Sequence, residues 1–231
     1  MSYTEFTYLC KDLLDISSNE KIVELADVKL TAVAQVIPDN YKTILSLESN
    51  LVAYALAEKG YQVDICGEKL LHHVNFNYIT RPSMKYDLVL GMDQATTFAT
   101  TNQEQQDYIA FVAGVTAKTF VTTVMDYKNK HVSFNMFEEP FYVKAGNNER
   151  IVLNHRKWLK DDRQAWQHHV YVTDENNETV MYGPFPRRTM YFKQLARFLY
   201  DNDAKKYTVH KEPLYKGVFS SSFQHIVTAE F

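Results

Sequence analysis

Four places in this chain carry side chains able to do binding or catalytic chemistry. Asp93 and Gln94 follow the apolar run "YDLVLGM". An acid at the carboxyl end of a buried parallel strand stands where ligands bind in open α/β sheets. It can contact a substrate or act as a base; the plainer reading is a loop or helix-capping acid. Ser46, Glu48, Ser49 and Asn50 form the turn "SLESN" between an apolar run and a helical one. Asn50 suits a helix cap, and the helix N-terminus beside the Ser49 hydroxyl can receive an anion. Glu68 follows the next apolar run and is either a hydroxyl ligand or a surface acid. Arg187 and Arg188 precede the last helical stretch. They can clamp a carboxylate or phosphate with paired N–H bonds, or stand as a solvated basic pair.

Other chemistry finds less support. His72-His73 and His168-His169 are adjacent pairs, and neighbours on a strand point to opposite faces, so neither pair chelates from one side. No metal site is expected on this ground. There is no nucleophile elbow, phosphate-binding glycine loop or Ser/Cys triad spacing.

The scaffold behind these residues can be read from periodicity. Residues 3–36 read as two helices, the second capped by Ser18 or Asn19 with an apolar stripe of Ile22, Leu25, Val28 and Ala32, and stopped by Pro38. "TILSL" (43–47) suits a buried parallel strand, and "NLVAYALAEKG" a helix ended by Gly60. Strands are expected at 61–66, 74–80, 86–92 and 118–126, with a helix over 102–115 that turns Tyr108, Ile109, Val112 and Ala113 inward. Alternating strand and helix implies a parallel sheet covered by helices. After Asp126 the rhythm becomes strand and polar turn, with "DENNE" as a hairpin loop. A last amphipathic helix, burying Phe192, Leu195, Phe198 and Leu199, then precedes two closing strands.

Composition bounds the function. A net charge of −3 gives no general pull toward nucleic acid. Only Cys10 and Cys66 are present, which fits a reducing compartment and excludes a disulfide framework. No stretch approaches a membrane span, and the N-terminus has no apolar signal core. A cytoplasmic protein is expected. Aromatics are abundant, with 16 Tyr and 14 Phe, and many fall after residue 130, as in a packed second sheet, a subunit interface or a substrate lid. The seven glycines are few for backbone that must wrap a nucleotide.

The element order resembles the class I S-adenosylmethionine-dependent methyltransferases. "TILSL" with "ALAEKGYQV" is similar to their first strand, loop, helix and second strand, and "YDLVLGMDQATTF" to their fourth strand and the segment just after it. "RRTMYFKQLARFLYDNDAKKYTVHKEPLY" with "FQHIVTAEF" is similar to the last helix and closing strand pair. The resemblance covers about residues 20–231. It implies a Rossmann-like α/β fold with a mostly parallel seven-stranded sheet and helices on both faces. It also implies a β-rich insertion before the last helix, as in some small-molecule methyltransferases. One domain is expected over 1–231: N-terminal helices (1–36), Rossmann-like core (41–127), insertion (128–188), then last helix and strand pair (189–231).

By the same resemblance S-adenosylmethionine is the implied cofactor. Ser46, Glu48, Ser49, Asn50 and Glu68 stand at its positions, Asp93 at the catalytic one, and Gln94, Arg187 and Arg188 toward a small-molecule substrate. The residues depart from the pattern three times. Ser46 replaces the acid of acid-x-Gly-x-Gly-x-Gly, with "ESN" where the glycines belong; Gly67 replaces the ribose-binding acid; and Gly67 to Tyr86 is short for a helix plus third strand. Two readings stay open. One is a small-molecule methyltransferase; the other is a non-catalytic binding or scaffold protein whose aromatic insertion meets a protein partner or a second copy as a homodimer.

Overall fold

The computed structural model describes residues 30–31, 33–37, 40–48, 50–67, 73–92, 95–125, 135–137, 140–145, 148–162, 164–210 and 224–231. Ile22, Leu25, Val28 and Ala32, the stripe expected on the second N-terminal helix, lie outside them. Leu30 and Val33, described on a helical turn, are fully buried against the sheet.

β1 (Ile44–Ser46) leads into α1 (Leu51–Glu58), β2 (Val63–Ile65) and β3 (Phe76–Tyr78). β4 (Tyr86–Gly91) is followed by a single 3-10 turn at Ala95–Thr97, α2 (Asn102–Val115) and β5 (Thr116–Met125). Next come β6 (Asn135–Phe137), β7 (Phe141–Ala145), β8 (Asn148–Trp158), β9 (Ala165–Thr173) and β10 (Thr179–Arg188). The chain then forms α3 (Phe192–Tyr200), β11 (Lys206–His210) and β12 (Gln224–Glu230).

Seven strands make the main sheet in the order β11-β12-β5-β4-β1-β2-β3. β1 to β5 pair in parallel, while β12 runs antiparallel between β11 and β5. The short apolar runs are buried on both faces, as parallel strands must be. Ile44, Leu88 and Leu90 pack with Val52, Ala53 and Leu56 of α1. Their neighbours Leu45 and Val89 point the other way, to Ile109 and Val112 of α2 and Leu195, Phe198 and Leu199 of α3. The two-residue period of a strand thus divides one apolar run between two cores.

The crossover from β2 to β3 is short, yet β3 forms and pairs Val63 with Phe76. Side chains hold its lead-in: Asn75 Nδ2 donates to Ala57 O (2.9 Å), and His73 Nε2 meets Glu58 Oε1 (2.8 Å). The second sheet is antiparallel, ordered β10-β9-β8-β6, with β7 also on β8. In the expected hairpin loop, Asp174 Oδ1 accepts from the backbone of Asn176 and Glu178, and Asn177 takes φ 63°, a left-handed conformation that asparagine tolerates. Among the described residues no helix is long and apolar enough to cross a membrane.

Candidate functional site

The carboxyl ends of β1, β2 and β4 meet at one edge of the main sheet, where the strand order turns back on itself. Two ladder-like bonds tie them: Leu47 N donates to Leu90 O, and Cys66 N to Ser46 O, both at 2.9 Å. Here the chain leaves β1 without a glycine, and side chains hold the bend instead. Ser46 Oγ donates to Glu48 O (2.6 Å). Asn50 Nδ2 donates to Ser46 Oγ (2.8 Å) and to Glu48 O (3.2 Å), while its Oδ1 accepts from Ala53 N (2.9 Å). Asn50 is the expected helix cap, but it also knots the loop behind it. Ser46 is fully buried and Asn50 nearly so. Both amide ends of Asn50 are engaged within the turn.

The end of β2 lies against the same bend. A Cβ on Gly67 would sit 3.2 Å from Leu47 O and 3.3 Å from Glu48 Cα, both backbone atoms. Gly67 is therefore matched to the bend it touches, where a side chain would press on backbone. Glu48 is half-buried, and one carboxylate oxygen is shielded from solvent. Its charge acts on Tyr108 of α2, whose phenol is pushed well above the usual range, first by burial and then by Glu48. The Tyr108 hydroxyl lies over the end of β4, 2.5 Å from where a Cβ on Gly91 would be. A tyrosine from α2 thus closes over the β4 end and feels the Glu48 charge from the first crossover. The bend that leaves β1 is therefore held by the side chains of Ser46 and Asn50 rather than by glycine backbone. Ser49, Glu68, Asp93 and Gln94 lie outside the described residues.

Arg187 and Arg188 are on β10, and strand alternation sends them apart. Arg187 is buried; its guanidinium lies over the Phe98 ring, 4.4 Å from the centroid, and Nη1 donates to Pro186 O (3.0 Å). Phe98 directly follows the 3-10 turn after β4, so β10 contacts the segment that follows β4. Arg188 binds Asp162 (2.7 Å), Gln164 Oε1 (2.7 Å) and Asn102 Oδ1 (3.2 Å). That contact holds the Asp162 carboxyl below its usual range. Arg188→Ala is expected to lower stability by about 2 kcal/mol, because Asp162 is part-exposed and screened. Arg188→Lys restores little of it, since the fork of donors is lost; denaturant midpoints check both.

Gln105 is not singled out by the sequence. Buried in α2, it donates to Arg188 O (3.3 Å) and accepts from Gln194 of α3 (3.0 Å). A lone glutamine in a helix carries no sequence signal of such a role. Arg156 gives no signal either: its guanidinium lies 5.2 Å from the Trp166 centroid on the inner face of the second sheet. Between Arg156 and Arg187 sits His168, its Nε2 3.0 Å from Asn154 Oδ1. Burial, then Arg156, then Arg187 push its pKa from 6.5 down to about 3. In the unfolded chain His168 takes up a proton near pH 6.5 that the folded chain refuses. Its stabilisation is therefore complete above that pH and falls away in acid. At pH 5 the loss relative to pH 7 is about 2 kcal/mol. His168→Gln is expected to flatten that difference in denaturant unfolding at the two pH values.

Sheet order, the single reversed strand, helices on both faces and an antiparallel insertion before the last helix define the fold of the class I S-adenosylmethionine-dependent methyltransferases. Solved structures agree. The CcbJ methyltransferase from Streptomyces caelestis matches with a TM-score of 0.64 at 16% identity, over 88% of each chain. DesVI from Streptomyces venezuelae matches at 0.68 and 10%, over 94% of this chain and 95% of that one. CalS10, an S-adenosylmethionine-bound amino pentose methyltransferase from Micromonospora echinaspora, matches at 0.62 and 10%, over 90% and 91%. No family model matches the chain, and no curated protein is found as a relative by sequence.

Proposed function

We propose that this chain is a non-catalytic protein with the methyltransferase fold, a binding or scaffold module that does not hold S-adenosylmethionine in the ordinary way. The observation that carries the reading is the bond between Asn50 Nδ2 and Ser46 Oγ (2.8 Å). It closes the first crossover with side chains where the fold elsewhere uses bare backbone. Glu48 adds to it: a carboxylate held at this bend repels the carboxylate of the cofactor's methionine part. Fold alone does not carry the chemistry. The aromatic insertion sheet is then the surface that meets a protein partner or a second copy.

A second reading, a small-molecule methyltransferase, is favoured by the likeness to enzymes of that kind along most of the chain. In it Asp93 and Gln94 serve the methyl acceptor, and Arg187, stacked on Phe98, contributes from the insertion. Thermal unfolding with ligand separates the two. A ligand at about 100 times its Kd stabilises the folded chain by about 2.7 kcal/mol, raising Tm by roughly 5 °C or more. The non-catalytic reading predicts no shift with 1 mM S-adenosylmethionine or S-adenosylhomocysteine, on the order of 100 times a Kd of about 10 μM. A shift of that size would return the protein to the enzymes.

A further inference from the structure

We propose that His155 and His169 form a binding site for one divalent transition-metal ion of the Cu2+, Ni2+ or Zn2+ class, on the outer face of the insertion sheet. Neighbouring histidines in sequence point apart, but strand pairing creates a different pair. β8 and β9 place His155 directly opposite His169, so both project from one face as direct cross-strand neighbours. Their rings stand 5.4 Å apart, inclined at 29°. Phe137 stacks on the other side of His155 at 4.3 Å and 10°, which restrains that ring.

The nitrogens point to a missing ligand. All four ring nitrogens of the pair are shielded from solvent and have no hydrogen-bond partner, and His155 is only 9% exposed. A neutral imidazole carries one donor and one acceptor, and leaving both unmet in the interior is costly. The other described histidines are satisfied: His73 by Glu58, His168 by Asn154, His210 by Thr228 and His225 by the His210 carbonyl. Metal–imidazole bonds of about 2.0–2.1 Å require the two nitrogens to approach within roughly 4 Å of each other. Turning His169, the more accessible ring, inward achieves this while Phe137 keeps His155 in place.

Imidazole selects borderline transition ions over Mg2+ or Ca2+, which prefer oxygen. Among the described residues no third His, Cys, Asp or Glu joins the pair, so water fills the remaining positions. Lys157 faces the same side; it is exposed, and its long stem lets the charge swing into water.

The test is titration of the full-length, tag-free chain with Cu2+ against a competing chromophoric chelator, with electron paramagnetic resonance of the bound copper. One equivalent per chain with two nitrogen couplings is expected. His155→Phe and His169→Phe keep the ring stack while removing the ligands, and each should weaken binding by roughly tenfold or more. His168→Gln and His225→Gln should leave it unchanged, and Mg2+ should not compete. Should His155→Phe fail the circular-dichroism check of folding, His169→Phe decides alone. Absence of a saturable copper site, or one equally strong in His169→Phe, overturns the proposal.

Discussion

Asn50→Ala is expected to destabilise the protein by about 3 kcal/mol. The residue serves two structures at once. Its Oδ1 caps α1 through Ala53 N, and its Nδ2 ties Ser46 Oγ and Glu48 O into the bend. A lost cap alone costs about 1 kcal/mol; the rest comes from buried acceptors left with fewer donors. Asn50→Asp separates the two roles, because a carboxylate still caps the helix but cannot donate. It should recover about 1 kcal/mol of the loss. Equilibrium denaturation of the three proteins measures this. A loss of 1 kcal/mol or less in Asn50→Ala would show that the knot contributes nothing beyond the cap.

Gly91→Ala is expected to cost about 3 kcal/mol through overpacking. The added methyl would stand 2.5 Å from the Tyr108 hydroxyl and 3.1 Å from the Phe120 ring, in a fully packed core. Tyr108→Phe removes the nearer obstacle, so the double variant should regain roughly half of the loss. Tyr108→Phe alone should not destabilise, because the deleted hydroxyl is buried with no hydrogen-bond partner. A double-mutant cycle in denaturant reads the coupling. Additive costs would place Tyr108 away from the end of β4 and remove the closure described there.

Much of this fold is legible along the chain because local rules decide it. The strand at 44–46, the Asn50 cap, the helix over 102–115, the hairpin loop at Asp174 and the last helix all come from periodicity and capping within a few residues. The illegible part depends on partners far apart in sequence. Helical periodicity turns Tyr108 inward, yet nothing local says that its hydroxyl lies over the end of β4. Gln105 looks like a surface residue until α2, β10 and α3 are brought together. Arg187 and Arg188, side by side in sequence, suggest one clamp; pairing of β10 with β9 sends one to an aromatic platform and the other to Asp162. The adjacent histidines 168 and 169 do point apart, since His168 is buried and His169 lies on the outer face. The pair that does meet, His155 and His169, exists only through the register of β8 on β9. The glycine-poor first crossover is visible at once, and the structure supplies its physical content in the bonds of Ser46 and Asn50.

A calorimetric titration of the chain with S-adenosylmethionine and S-adenosylhomocysteine puts the closed crossover to the sharpest test. A bend held shut by Asn50 and Ser46 predicts no binding heat at millimolar ligand. Saturable heat with a micromolar midpoint would contradict it, and would mean that this bend opens to admit the nucleoside.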